Sequence, residues 1–317
     1  MTRTMATATV HLVGPGKVKI HQGRLAFSTG DGSPAQFDVA SLRHVICYGE
    51  VGLSDEAIRA LFEAQVQVSW LSPRGNRIRG RMQPVGDSTV QLRMQQYARS
   101  SSADGGLELA RWIVQQKMES QMAGARHFQR HGNPEAGVVL ERLGERMAQA
   151  GRCGSAESLR GLEGSASTTW FQFLGTMTPA AWEFRGRNRR PPRDPFNALL
   201  SLGYACVMNR VSARLQAEGF ELQIGFLHEY RAGRPSLACD VIEPLRVPSV
   251  DRWALRLSGL EQLTVDDFES SPEDGMRLTK GKFSVVLQSF EEHWLRIQAA
   301  KRLEQLVANL RQRITQP

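Results

Sequence analysis

No CxxC pair occurs among the four cysteines of the chain, Cys47, Cys153, Cys206 and Cys239. That excludes the paired thiolates of the common structural zinc sites. Their scatter and apolar neighbours read instead as reduced core thiols of a cytoplasmic protein. No apolar run approaches the ~20 residues that a membrane-spanning helix needs, and the opening MTRTMATATV lacks the apolar stretch of a secretory signal. A cytoplasmic protein without a membrane-spanning helix is the expectation. There is no GxxxxGK[ST] loop to support P-loop nucleotide hydrolysis and no GxSxG nucleophile elbow. Acid is also in short supply: 40 Lys and Arg against 32 Asp and Glu leave a net charge of +8. That excess points to a polyanionic partner, nucleic acid or an anionic surface. What is present suffices for a packed core, since 41% of the 317 residues are hydrophobic and the length suits one large domain or two ordinary ones.

The first eighty or so residues carry the strand pattern. TVHLV, KVKIH, RLAFS and HVICYG are short β-branched or aromatic runs parted by Gly- and Pro-bearing turns. SDEAIRALFEAQ breaks the series as one helix, with Ser54 as its N-cap, acids in the first turn, and Ile58, Leu61 and Phe62 as its apolar stripe. VQVSWL and RIRGRM return to strand. From about Ser88 the period becomes helical. LELARWIVQQKMESQM sets Leu109, Trp112, Ile113 and Met118 at helical spacing. In DPFNALLSLGYACVMNRVSARL, Asp194 caps a long helix and Pro195 takes its first position. The last segment, from Phe283 on, reads as one long basic helix or two in series. The expected fold class is α+β: a small β-rich N-terminal domain over 1–86, then a larger all-α domain over 87–317.

Carboxylates in apolar settings carry the chemistry. Read as a helix, residues 159–174 place Leu159, Leu162, Ala166, Trp170, Phe173 and Leu174 on one face. Glu163 falls inside that sector, within about 20° of Trp170 and Leu174. A charge buried there unpaired would cost several kcal/mol, so Glu163 requires a cation, a hydrogen-bond partner or a raised pKa. An arginine partner in the core and a ligand role both satisfy this. Gly161 and Gly164 flank it and would allow close approach of a backbone or a ligand. The stretch GFLHEYRAGRPSLACDVIEPLR repeats the theme, with His228 followed by Asp240 and Glu243 among Leu237, Val241 and Ile242. Asp240 and Glu243 at i, i+3 repel unless a cation joins them, and Pro244 disfavours α geometry at Glu243. Imidazole with carboxylates suits Mg2+ or Mn2+; a satisfied polar cluster is the plainer reading.

Arg185, Arg187, Arg189, Arg190 and Arg193 crowd a Gly/Pro-broken loop between two helices. Arginine forks bind phosphate bidentately, so the loop is a candidate DNA contact, the alternative being a solvated charge run. A second basic set begins with Lys280 and Lys282 and continues through Arg296, Lys301, Arg302, Arg311 and Arg313. His11, His21, His44, His127 and His131 lack acidic partners at ligand spacing and are read as structural or surface residues.

Three of these stretches together resemble one family, the CRISPR-associated integrases of spacer acquisition, the "Cas-one" family. LEGSASTTWF resembles its glutamate-bearing helix, DPFNALLSLGYACV its D-x-x-N-x-L-L-S-x-G-Y helix, and the 225–246 stretch its G-x-L-H and S-L-x-x-D-x-x-E segments. The N-terminal strands, GEVGLSDEAIRAL and VSWLSPRGNRIRGRM resemble its β-domain. The resemblance implies that Glu163, His228 and Glu243 ligate a divalent metal, Mg2+ or Mn2+, and that Asp240 is the further active-site acid. It implies a DNA endonuclease and integrase of antiviral CRISPR adaptation. In that reaction the 3′-OH of a captured double-stranded DNA fragment attacks a phosphodiester at the border of a CRISPR repeat. It implies a homodimer formed through the β-rich domain, and a dimer of the small "Cas-two" protein as partner. One departure is Trp170, where the family usually has Tyr. A transposon-encoded recombinase and a non-catalytic DNA-binding scaffold are the competing readings. The former typically appends a further DNA-binding module, which is not expected after ITQP; the intact acid and His positions argue against the latter.

Overall fold

The computed structural model describes residues 8–30, 33–75, 77–82, 90–188, 191–260, 263–272 and 275–316. The chain divides into two units, Met1–Asp87 and Ser88–Pro317.

The N-terminal unit holds two four-stranded sheets. Its elements are β1 (Ala8–Val13), β2 (Gly16–His21), β3 (Arg24–Ser28), β4 (Ala35–Phe37), β5 (Leu42–Tyr48), β6 (Val51–Leu53), α1 (Asp55–Glu63), β7 (Gln67–Leu71) and β8 (Ile78–Met82). One sheet runs β1-β5-β7-β8, with β5 parallel to both neighbours and β8 antiparallel to β7. β5 is the strand whose side chains are buried at all but Arg43, as expected for a strand paired on both edges and covered on both faces. The other sheet runs β4-β3-β2-β6. Val10, Val18, Phe27, Val45, Leu61 and Val68 share the core with Cys47, whose thiol burial pushes up to about 12. Ser54 caps α1 as expected, accepting from Ala57 N–H at 3.2 Å. His11 and His44 are held inside this unit by Tyr48 and Ser69.

The C-terminal unit is built on helices: α2 (Val90–Ser101), α3 (Ala103–Arg130), α4 (Ala136–Gly151), α5 (Ala156–Met177), α6 (Pro195–Ala217), α7 (Ser236–Ile242), α8 (Arg252–Gly259), α9 (Lys280–Arg296) and α10 (Ala299–Thr315). α3 packs against α4 and α5, and α6 is buried on nearly every side. Asp194 accepts from Asn197 N–H at 2.8 Å, capping α6 with Pro195 at its first turn. The basic C-terminal segment is two helices, broken where Gln298 takes φ 51°.

Two features differ from the sequence pattern. A two-stranded antiparallel hairpin, β9 (Phe268–Ser271) and β10 (Gly275–Leu278), interrupts the helices. The chain also does not leave helical geometry before Pro244: Glu243 keeps φ −54° and ψ −48°. The proline changes the winding instead. α7 passes into a 3-10 turn (Glu243–Leu245), then a π turn (Val247–Asp251), then α8. Altered winding is how a helical run accommodates a residue that supplies no N–H.

Candidate active site

α5 starts at Ser155, whose hydroxyl accepts from Ser158 N–H at 3.2 Å. Two turns on, it presents Glu163 to α3. The cation that Glu163 requires is Lys117, not an arginine: Lys117 Nζ donates to Glu163 Oε1 and, at 2.8 Å, to Ser167 Oγ. Ser167 Oγ in turn donates to Glu163 Oε1 at 3.0 Å. The same ammonium lies 2.6 Å from Glu243 Oε2. One lysine, only 6% exposed, therefore joins two carboxylates that come from helical segments far apart in sequence. Lys117 sits in the apolar stripe of α3 with Val114 and Met118, and the motifs of the sequence do not include it.

Glu243 is 3% exposed. Burial would raise its pKa, but Arg246 and Lys117 overcome it and hold the carboxyl down to about 2. Arg246 pairs with Glu243 Oε1 at 2.8 Å and lies 4.8 Å over the Tyr204 ring. Glu243 is ionised at neutral pH, and its buried Oε2 still lacks an aligned hydrogen-bond donor.

Asp240 is fully buried and wrapped by the 225–228 loop. Its Oδ2 accepts from Phe226 N–H (2.6 Å) and Leu227 N–H (3.2 Å); its Oδ1 accepts from His228 N–H (3.0 Å) and His228 Nδ1 (2.6 Å). Gly225 allows this wrap, because a Cβ there would stand 2.8 Å from Asp240 Oδ2 and from His228 O. Since an ionised carboxylate only accepts, Nδ1 carries the ring proton, and the lone pair of His228 is on Nε2. The lone-pair sites of Asp240 are taken up by these four bonds, which fix the His228 ring.

The structure thus brings Glu163 to Glu243 and His228 to Asp240. Arg160 of α5 pairs with Glu229, next to His228, at 2.9 Å, which ties the two halves together. As they stand, no three His, Cys, Asp or Glu side chains among the described residues form a group that could hold a metal ion. The donor chemistry nevertheless fits a hard divalent cation: two carboxylates already converge on one positive charge, beside an imidazole whose other nitrogen is fixed by a carboxylate.

The chain matches the family model of the CRISPR associated protein Cas1 over residues 10–292. It belongs to the Cas1 family. It is 35% identical over 288 residues to CRISPR-associated endonuclease Cas1 1 of Thermus thermophilus, covering 90% of this chain and 87% of that one. Its fold superposes on a CAS1 protein from Thermotoga maritima with a TM-score of 0.83 at 20% identity, over 96% of each chain. A casposase bound to an integration product shares the fold with a TM-score of 0.74 at 20% identity, over 90% of this chain and 81% of that one.

Within this Cas1 chain the tryptophan departure costs no donor. Trp170 Nε1 donates to Asp251 Oδ2 at 2.7 Å, and Tyr204 OH donates to Asp251 Oδ1. The open side of α5 also matters: a Cβ at Gly161 or Gly164 would meet nothing within 4 Å, so helix packing does not require either glycine. The arginine loop is less uniform than its composition. Arg187 turns inward, donating to Asn197 Oδ1 (2.7 Å) and Ser201 Oγ (3.0 Å) with its guanidinium 5.4 Å from the Tyr204 ring centre. It braces the loop on α6 and is half-buried. Arg185 and Arg193 are exposed, while Arg189 and Arg190 lie outside the described residues. Lys280 is exposed; Lys282 is paired with Asp267 at 3.0 Å. Among the described residues no helix is long and apolar enough to cross a membrane.

Proposed function

We propose that this Cas1 chain is a divalent-metal-dependent DNA endonuclease and integrase of CRISPR adaptation. The observation that carries the reading is the pairing of two carboxylates, Glu163 and Glu243, on one cation beside an imidazole held by Asp240. Glu163, Glu243 and His228 Nε2 are the residues that would hold Mg2+ or Mn2+. When bound, such an ion supplies Lewis-acid charge at the scissile phosphate. The reaction is transesterification: a fragment 3′-oxygen forms a bond to phosphorus at the repeat border, and the bond to the former 3′-oxygen breaks. Lys117 yields its carboxylates, Arg246 keeps Glu243 ionised, and Asp240 keeps the His228 lone pair on Nε2. Arg185, Arg193 and Lys280 face solvent and suit contact with DNA phosphates, which position a duplex without reading its sequence. Family membership supports a homodimer through the β-rich unit and a Cas2 dimer as partner.

The test is a strand-transfer assay with a labelled duplex fragment and a repeat-bearing plasmid. Wild type is expected to join them with Mg2+ or Mn2+ and not with EDTA. Glu163→Ala is expected to abolish joining while duplex binding stays within about twofold, because a carboxylate offers no donor or positive charge to a phosphate. Joining by Glu163→Ala at the wild-type rate, or by wild type in EDTA, rejects the reading.

A further inference from the structure

We infer that the far end of α3, with the π turn, α8 and α9, forms a second phosphate-binding site of the chain, a guanidinium cluster built from Arg130, Arg252 and Arg296 for the backbone of duplex DNA.

The cluster is unusual in what orients it. Arg252 donates to His127 Nε2 at 3.3 Å, and Arg296 donates to His293 Nδ1 at 2.8 Å. Both acceptors are imidazole lone pairs. His293 is fixed in that state because its Nε2–H donates to Pro248 O at 2.7 Å, and the ring is 3% exposed. His131 donates from Nδ1 to His127 O at 2.8 Å and packs its ring 4.3 Å from that of His127. Burial first, and then the neighbouring arginines, lower the pKa of both His127 and His293, the latter to about 4, so both rings are neutral acceptors at pH 7. Among the described residues none of Arg130, Arg252 and Arg296 has a carboxylate in ion-pair range, although Arg126, on the same helix, pairs with Glu119.

A neutral acceptor orients a guanidinium without cancelling its charge, and leaves its remaining N–H donors for another partner. Arg252 is half-buried, and its pKa is lowered by burial, then by Arg296 and Arg130. Like charges held together without a counter-ion are a site for a multivalent anion. Helix macrodipoles account for cations in the last turns of α3 and α9. They do not account for Arg252, which stands at the first turn of α8.

Duplex DNA is the anion favoured by position. By helix geometry of about 1.5 Å and 100° per residue, His127, which holds Arg252, lies about 15 Å beyond Lys117 along α3 and about 80° around it. That distance is about four steps of about 3.4 Å along one strand. The inference rests on DNA being the substrate of the proposed reaction.

The test is the salt dependence of binding to a short labelled duplex, read by fluorescence anisotropy. Each phosphate that the protein no longer neutralises reduces the slope of log K against log salt by about 0.9. Arg252→Gln with Arg296→Gln is expected to reduce the slope by about 2, and the paired lysine substitutions at the same positions are expected to preserve it. Lys19→Gln with Arg24→Gln, an equal charge change at exposed positions of strands β2 and β3, is expected to leave it unchanged. Glu163→Ala is expected to keep the wild-type slope, which separates failure of the reaction from failure of this phosphate site. A slope unchanged in the Arg252/Arg296 double variant, with a cooperative unfolding transition retained, overturns the inference, as does an equal reduction in the Lys19/Arg24 control.

Discussion

Asp240→Asn tests the site at its most determined point. The carboxylate accepts three main-chain N–H bonds and one imidazole bond. An amide can keep only one oxygen there. If that oxygen stays on Phe226 and Leu227, the new NH2 faces two donors at His228. The His228 N–H loses its acceptor, at a cost of about 1–3 kcal/mol, and the surviving bonds lose their charge assistance. The sum is about 2–4 kcal/mol, or a melting-temperature drop of about 5–15 °C for a unit of this size. The ring responds chemically as well. Facing an NH2 donor, Nδ1 must become the acceptor, which moves the ring proton to Nε2 and removes the lone pair a metal would use. Loss of such a supporting partner weakens metal binding about 10–100-fold. Nitrogen-15 NMR of the labelled ring should show the proton on Nδ1 in wild type and on Nε2 in the variant, and calorimetric Mn2+ titration should show the weaker affinity. A variant ring still protonated on Nδ1, with Mn2+ affinity unchanged, would refute the assignment of Asp240 as the residue that positions His228.

Lys117→Met removes the ammonium shared by Glu163 and Glu243. It should destabilise the metal-free protein by about 2–4 kcal/mol, since Glu243 is buried and keeps only Arg246 while the part-exposed Glu163 regains water. The same variant should bind Mn2+ more tightly than wild type, because no internal cation competes. Equal stability and equal Mn2+ affinity would show that the bridge does not form in solution. His293 gives a pH signature. Its native pKa of about 4 lies below the ordinary value of 6.5, so the unfolded chain takes up the proton first. Stability is complete above about pH 6.5 and declines as pH falls toward about 4, by about 3 kcal/mol in all. Urea denaturation at pH 7 and pH 5 should show a smaller pH dependence in His293→Gln than in wild type; an equal dependence would contradict the neutral buried ring.

Much of the molecule is readable from residue pattern, and the exceptions share a cause. β1, β2, β3, β5 and β7 show as β-branched or aromatic runs, and Ser54, Asp194 and Pro195 mark helix starts, because each signal is complete within a few residues. β4 and β6 are three residues long, and β9 and β10 are four residues each, so none carries a countable period. The acids of the site are legible because a carboxylate among Leu, Val and Trp demands a partner. The same physical demand holds in LARWIVQQKMES, where Lys117 is a charge in the apolar stripe of α3. The partner itself is not legible, since Glu163 and Glu243 approach Lys117 only after three separate helical segments have packed. Arg187 shows a second limit. Composition treats five arginines as equivalent, while tertiary packing turns one of them onto Asn197 and Ser201.

The two halves of the site differ in stiffness, and the difference bears on how an ion could enter. His228 belongs to a loop held by four bonds to a buried, immobile carboxylate. Glu163 and Glu243 are held by an ammonium on a flexible four-carbon stem with three rotatable donors. An incoming divalent cation would therefore exchange with Lys117 rather than deform the loop bonded to Asp240. Exchange of this kind is disfavoured where it strands a buried charge, and Glu243 is almost fully buried. Arg246 removes that obstacle. It pairs with Glu243 Oε1 at 2.8 Å, opposite the oxygen that faces Lys117, and is itself steadied over the Tyr204 ring. Glu243 would thus keep Arg246 as a cationic partner if an ion took the place of Lys117 at Oε2, and would not need to take up a proton.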